Sequence, residues 1–131
     1  MALKKPSKQS TTEKVYGMPN NAMYANDGDL TTRSYTKKAR ISWWTVDMEK
    51  FVRIFRIEIY LLPHSFKNNH YGELSISTRV QESHSWDLCV KLGVPKSLNN
   101  TIICDSKTTA RYLKVSSEKR LVLREVEIYG I

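Results

Sequence analysis

The sequence has little that would place it among membrane proteins, zinc proteins or nucleotide-binding enzymes. Its longest apolar stretch, near Ile54–Pro63, is interrupted by Arg56 and Glu58 and falls short of the roughly 20 residues that a membrane-spanning helix needs. The five glycines are scattered and form no phosphate-binding loop. The two cysteines have neither Cys-x-x-Cys spacing nor a partnering histidine, which excludes the common zinc patterns.

Catalytic patterns are also missing. The three histidines, His64, His70 and His84, lie in no His-Glu-x-x-His arrangement and near no Gly-x-Ser-x-Gly nucleophile turn. We therefore expect a binding domain and not an enzyme. No apolar stretch follows the first lysines, so we expect no secretory signal peptide. Either the protein is cytosolic, or Met1 is an added start residue that precedes a mature domain.

What is present is an ordinary globular composition with a basic excess. The length of 131 residues suits one domain, residues 1–131, and no internal repeat or linker divides it. Lysine and arginine number 21 and aspartate and glutamate 13, which gives a net charge of +8. This charge favours acidic partners, among them nucleic acid, anionic lipid and sulfated or sialylated glycans, and does not choose among them.

Short alternating segments separated by turns predict an all-β fold. Residues 41–47 are rich in β-formers, and strands are predicted within 51–60, 74–80, 110–116 and 121–129, where apolar and polar side chains alternate. The chain before these segments has the prolines and asparagines of extended chain and turns. Because few windows have helical periodicity, we expect a β-sandwich.

The segment Asn26-Asp27-Gly28-Asp29 combines two carboxylates with a glycine that permits a sharp turn. Calcium binds about six to eight oxygens from carboxylates and carbonyls, so this segment is a candidate part of a calcium site. The ligand pattern of an EF-hand loop is missing. Taken alone, the four residues are explained at least as well by a plain Asp-Gly turn.

Several short sequence segments resemble segments of the fucolectins (F-type lectins) and the related discoidin-like domains. They occur between residue 2 and residue 130 in the same order as in that family. They are Ala2–Thr11, Ala22–Asp29, the double tryptophan of Trp43–Met48, the strand Ile57–Tyr60, and the closing segments Arg111–Val115 and Leu123–Gly130. The resemblance implies a jelly-roll β-sandwich of the galactose-binding-domain type and an extracellular, lectin-like function. It also implies that Met1 precedes a mature domain beginning near Ala2.

The resemblance further implies a structural calcium ion and a disulfide. The implied metal ligands are Tyr24, Asp27, Asp29, Arg124 and Glu125. Asp27 and Glu125 would use carboxylate oxygens and the others backbone carbonyls, so that one ion would tie the first loop to the last strand. The family has one more ligand, a serine, in a loop that matches residues 34–38 too loosely to assign. Cys89 and Cys104 stand where fucolectins have a bridged pair.

The sugar-binding residues of the fucolectins are not matched. An Arg-x-Asp of the family falls on Leu62-Pro63-His64, and leucine cannot donate the charge-assisted hydrogen bonds that hold sugar hydroxyls. We expect recognition at the end of the sandwich formed by loops 33–41 and 61–71, with fucose bound poorly and an acidic glycan on a glycoprotein or cell surface as partner. The candidate ligand-binding residues are Lys37, Lys38, His64, Lys67, Asn69, His70 and Tyr71.

Two other functions stay open at this point. A discoidin-type adhesion or protein-interaction module of a larger extracellular protein would share the fold without binding sugar. A cytosolic nucleic-acid binder would explain the charge, and its binding would fall steeply with salt. The resemblance favours the lectin-like function, with no nucleic acid partner and no membrane insertion.

Overall fold

The computed structural model describes residues 2–63, 65, 71–104 and 108–131, and in them it shows a sandwich of antiparallel sheets. The strands of this part of the chain are β1 (Ser7–Gln9), β2 (Lys14–Val15), β3 (Met18–Pro19), β4 (Ser34–Tyr35), β5 (Ser42–Leu61), β6 (Leu74–Arg79), β7 (Asp87–Gly93), β8 (Asn99–Ile102), β9 (Thr109–Ser117) and β10 (Val122–Gly130). A short 3-10 helix spans Ala22–Ala25. The prediction of an all-β sandwich is confirmed. No helix in the described ranges has the length and apolar character needed to cross a membrane.

One long strand, β5, belongs to both sheets. Its first part pairs with β1 and β9, and its last part pairs with β8 and β10. The first sheet therefore has the order β1-β5-β9-β6-β7 and the second the order β4-β10-β5-β8. The passage between them lies near Arg53 and Ile54, and shortly before it the register with β9 shifts between Asp47 and Val52, where Glu49 has a φ of 63°. The two strands predicted at 41–47 and 51–60 are thus one bent strand.

Both ends of β5 lie at the same end of the sandwich. Ser42 pairs with Ser117 and Leu61 pairs with Leu123, and only residues 118–122, the turn 118–121 and the first residue of β10, separate these two partners along the chain. We call this the loop end. The C-terminal residue lies at the other end, where the backbone of Arg53 exchanges hydrogen bonds of 2.7 and 3.1 Å with that of Ile131.

The core lies between the two sheets and follows the alternation of the strands. The largest fully buried side chains are Trp44, Val46, Met48, Ile54, Ile57, Ile59, Leu61, Leu74, Ile76, Leu113, Leu121 and Leu123. The alternation of buried and exposed residues in β5 changes phase between Ile54 and Ile57, where two successive residues are exposed. The register between β5 and β10 shifts at the same place. Such a bulge adds a residue to one strand and bends it.

A disulfide closes one side of the sandwich. Cys89 lies on β7, the edge strand of the first sheet, and is bonded to Cys104, which follows β8, the edge strand of the second. The Cα atoms are 5.3 Å apart. The pairing implied by the family resemblance is confirmed.

Candidate functional site

The turn around Gly28 packs against the last strand. Gly28 has a φ of +80°, in the left-handed region that glycine adopts without strain, and its N–H donates to Glu125 Oε2 at 3.0 Å. A Cβ at this position would lie 3.0 Å from Leu3 Cδ1. The sharp turn predicted from the sequence is therefore present, and it brings the first loop to the buried Glu125 carboxylate.

Oxygen atoms of three residues converge on the hydroxyl of Thr32. Its Oγ1 lies 2.6 Å from Asp27 Oδ2, 3.0 Å from the Asp29 carbonyl oxygen and 3.4 Å from the Tyr24 carbonyl oxygen. A hydroxyl has one hydrogen and cannot donate to all three. These are the oxygens that the resemblance assigns to calcium. The sequence does not identify Thr32, because the loose family match directs attention to residues 34–38.

The other expected ligands also have suitable local geometry. The Asp29 carboxylate accepts hydrogen bonds from the N–H and hydroxyl of Thr31 at 2.8 and 2.6 Å, which hold the pKa of Asp29 below its ordinary value. Only its carbonyl oxygen is then directed to Thr32. In β10 the register shifts between Leu123 and Glu125, so Arg124 has no partner residue in β5. A bulge of this kind removes a residue from the ladder.

The electrostatics of Glu125 favour a cation. Glu125 is 3% exposed, and no hydrogen-bond partner of its Oε1 is found in the described ranges. Burial, and then the negative charge of Asp27, raise the pKa of Glu125 to about 7. A hard cation between the Glu125 and Asp27 carboxylates would offset both the cost of burying the Glu125 charge and its repulsion by Asp27. These oxygen ligands therefore fit calcium. No cluster of three or more His, Cys, Asp or Glu side chains suited to a metal occurs among the described residues, and the expected set has only two such side chains.

The loop end brings together the segments expected to bind a ligand. Lys37 and Lys38 are exposed there, and the Lys37 N–H donates to Thr11 Oγ1 at 2.9 Å. The preceding Thr36 is buried and exchanges hydrogen bonds with Leu121, which anchors the lysines to the 118–121 turn. His64, Lys67, Asn69 and His70 lie outside the described residues.

Tyr71 does not belong to an exposed ligand surface. It is 3% exposed, and its hydroxyl donates to the Val122 carbonyl at 2.6 Å and accepts from the Leu62 N–H at 3.0 Å. Burial raises its pKa. The expectation that Tyr71 contacts a ligand is therefore wrong, because its side chain fills the space between the end of β5 and the start of β10.

Clefts at the loop end are lined by residues that sequence analysis did not select. One cleft of about 160 Å³ has Ile41, Glu73, Lys91 and Ser116 among its lining residues. A wider one of about 340 Å³ is lined by Arg40, Ile41 and Glu118. Glu73 directly precedes β6 and Glu118 directly follows β9, and for these two residues that position was the signal available in the sequence.

Comparison with known families gives one match by sequence. A family model described as the NedA-like, galactose-binding domain matches residues 24–115. No curated protein matches the chain significantly.

Solved structures resemble the whole chain. Chitosan-binding module 2 of a chitosanase/glucanase from Paenibacillus sp. IK-5, solved with chitotriose, has a TM-score of 0.82 at 20% identity, covering 98% of each chain. A fucose-binding module of Streptococcus pneumoniae has a TM-score of 0.80 at 21% identity, with 99% of this chain and 94% of that one covered. A fucolectin from striped bass (Morone saxatilis) serum has a TM-score of 0.80 at 22% identity, covering 98% of this chain and 46% of its own. At such identities these similarities establish the fold.

Proposed function

Because this chain belongs to the family of NedA-like galactose-binding domains, we propose that it is an extracellular, lectin-like module that binds a glycan and catalyses no reaction. Two of the similar structures are named for binding fucose and chitosan. The Cys89–Cys104 disulfide supports an extracellular setting, since such bonds persist in oxidising compartments.

The proposed recognition surface is the loop end. The observation that carries this proposal is that acidic and basic side chains, Arg40 with Glu118 and Lys91 with Glu73, line adjoining clefts beside the exposed Ile41. Carboxylates accept hydrogen bonds from sugar hydroxyls and cations donate to them, while an apolar side chain packs on the sugar ring. The exposed Lys37 and Lys38 beside these clefts favour a glycan that carries negative charge.

We expect free fucose to bind poorly. Leu62 stands where the fucolectins have an arginine. It packs against the hydrophobic core, and its N–H donates a hydrogen bond to the Tyr71 hydroxyl. A site that recognises hydroxyls by hydrogen bonds loses most of its discrimination when its donors are removed.

A glycan array followed by calorimetry on the best glycan tests the proposal. The double variant Lys37→Ala, Lys38→Ala and the single variant Glu118→Gln should each weaken binding, because both alter the loop end. The matched control is Lys50→Ala, Arg53→Ala, which removes the same charge from exposed positions at the bend of β5. An array without any glycan bound would contradict the lectin function. Equal affinity in the wild type and both loop-end variants would contradict the location.

We also propose that calcium binds between the first loop and β10. Asp27 and Glu125 would provide its charged ligands, the carbonyls of Tyr24, Asp29 and Arg124 its neutral ligands, and the Thr32 hydroxyl a further oxygen. The ion would balance the buried negative charge of Glu125, and the residues that hold it would join the first loop to β10.

A further inference from the structure

Two cations and two aromatic rings form a cluster on the outer face of the first sheet, away from the loop end. The Arg79 guanidinium lies 4.1 Å from the ring centroid of Trp86 and 5.3 Å from that of Tyr112. The Lys114 ammonium lies 4.8 Å from the same Trp86 ring. In the sheet, Arg79 of β6 is directly opposite Tyr112 of β9, and Lys114 is two residues further along β9. The strands thus fix both cations on one face.

The positive charge of this cluster is not balanced. In the described part of the chain, no carboxylate lies within ion-pair distance of Arg79 or Lys114, and the buried Arg79 Nε has no hydrogen-bond partner. Burial and the neighbouring charge of Arg79 lower the pKa of Lys114. Two carboxylates line the adjacent cleft, but Asp47 is held by Arg111 through contacts of 2.8 and 3.0 Å, and Glu82 is exposed at the rim.

The cluster borders a cleft of about 130 Å³ whose lining includes Lys8, Thr45, Arg79, Glu82, Trp86 and Tyr112. Thr45, which also lines this cleft, is directly opposite Lys114 in the register of the sheet. Its hydroxyl can donate to and accept from sugar hydroxyls. The cleft therefore offers a cationic part for an anion next to a neutral hydrogen-bonding part.

We propose that this cleft is a second ligand site, which binds a sulfated oligosaccharide with a sulfate group held by Arg79 and Lys114. Guanidinium and ammonium groups make short, charge-assisted hydrogen bonds to such anions. Trp86 and Tyr112 hold Arg79 in place, so less side-chain freedom is lost on binding. The proposed site is distinct from the loop-end clefts, although Lys114 is only two residues along β9 from Ser116, which lines one of them.

A glycan fits this cluster better than a nucleic acid does. Proteins that bind single strands offer free aromatic faces on which bases stack. Trp86 is only partly exposed and contacts two cations, so little of its ring surface is free.

Titration calorimetry with a heparin hexasaccharide and its fully desulfated counterpart tests the proposal. The double variant Arg79→Gln, Lys114→Gln should weaken binding of the sulfated sugar by about tenfold or more, because both charge-assisted contacts are lost. The matched control Lys14→Gln, Lys96→Gln removes the same charge from exposed positions outside both proposed sites and should change this affinity by no more than about twofold if sulfate binds at the sheet face. Lys114→Gln alone, which leaves Arg79 packed, should give a smaller loss, and melting curves should show each variant folded.

The proposal is overturned if the hexasaccharide does not bind, if its desulfated form binds equally well, or if the two double variants lose affinity equally. The last result would show attraction by net charge alone. It is also overturned if a single-stranded oligonucleotide binds as tightly as the sulfated sugar and depends on Arg79 and Lys114 in the same way. These outcomes are separate from those of the loop-end proposal, which is tested with other variants and with the glycan found on the array.

Discussion

At the scale of single residues, the two aspartates of the first loop have different surroundings although they are two positions apart. The Asp27 carboxylate is 2.6 Å from Thr32 Oγ1 and raises the pKa of the buried Glu125, whereas the Asp29 carboxylate turns away to Thr31. The calcium proposal therefore requires the side chain of Asp27 and only the backbone of Asp29.

Replacing Asp27 by alanine should abolish the effect of calcium on stability. Calcium that binds only the folded protein adds about 2.7 kcal/mol at a hundredfold excess over its Kd. Melting curves in calcium and in chelator should therefore differ for the wild type and coincide for Asp27→Ala. Asp29→Asn is the control, and it should keep the difference because its carbonyl is unchanged. Coinciding curves for the wild type would rule out the site.

Replacing Tyr71 by phenylalanine should destabilise the protein and leave glycan binding unchanged. The variant removes the hydroxyl that links the Leu62 N–H to the Val122 carbonyl in a buried setting, which costs about 1–3 kcal/mol. Denaturant titration measures the free energy of unfolding, and calorimetry measures binding. A selective loss of binding with normal stability would restore Tyr71 as a ligand-contacting residue.

At the scale of secondary-structure elements, the disulfide stabilises strands that contribute little to the core. β7 has no buried residue, and β8 has only Ile102 buried. The bond between Cys89 and Cys104 joins residues 15 apart in sequence, and a loop of about this length is worth about 3 kcal/mol in the chain-entropy model.

A Cys89→Ser, Cys104→Ser variant should lose about this 3 kcal/mol of unfolding free energy. Hydrogen exchange should increase most in β7 and β8, because these edge strands are joined by the bond. The control is the wild type in reducing agent, which should behave like the variant. Unchanged exchange in the two strands would show that the sheets hold them without the disulfide.

The bend of β5 should become less stable in acid. Asp47 accepts hydrogen bonds from Arg111 and from the N–H of Glu49, the residue with positive φ, and the hydrogen bond from Arg111 is the main cause of its lowered pKa. A lowered folded-state pKa adds stability that is complete above the ordinary value of 3.8 and is lost as the pH falls through the folded-state value. The unfolding free energies of the wild type and Asp47→Asn should thus differ near neutral pH and converge in acid. A constant difference would show that Asp47 acts through its hydrogen-bond geometry and not through its charge.

How much the sequence predicts depends on how each element is buried. β6, β9 and β10 were predicted because one face of each lies on the core, which produces alternation. β7 and β8 were missed because edge strands with few buried side chains leave no such pattern. In β5 the bulge shifts the alternation of buried and exposed residues from one phase to the other. The sequence alone does not show that both phases belong to one strand.

The same reasoning applies to the candidate sites. The turn at Asp27 was predictable because it needs glycine at a left-handed position. Thr32 and the Arg79–Trp86 cluster were not, because the contacts that define them form between residues that are adjacent only after folding. Lys37 and Lys38 are exposed at the loop end and their contact with a ligand stays a prediction, while the burial of Tyr71 was hidden by its position next to a polar loop.

At the scale of the whole molecule, the route of β5 determines how the domain faces its surroundings. Because this strand leaves the loop end in one sheet and returns to it in the other, the loops proposed for recognition lie at that end and the C-terminal residue lies at the far end, beside Arg53. Ala2 and Leu3 line a cleft that runs along β10 from Glu125 to Gly130.

This arrangement means that anything attached to the C-terminal residue holds the molecule at the end opposite the loops and leaves the loop end exposed. Protein coupled to a sensor surface through a C-terminal tag should therefore bind soluble glycan with the affinity measured in free solution. Protein coupled through a cysteine introduced at Lys38 should bind poorly, because the surface would then cover the loops. Equal binding in both orientations would place recognition on a part of the sandwich that neither attachment covers.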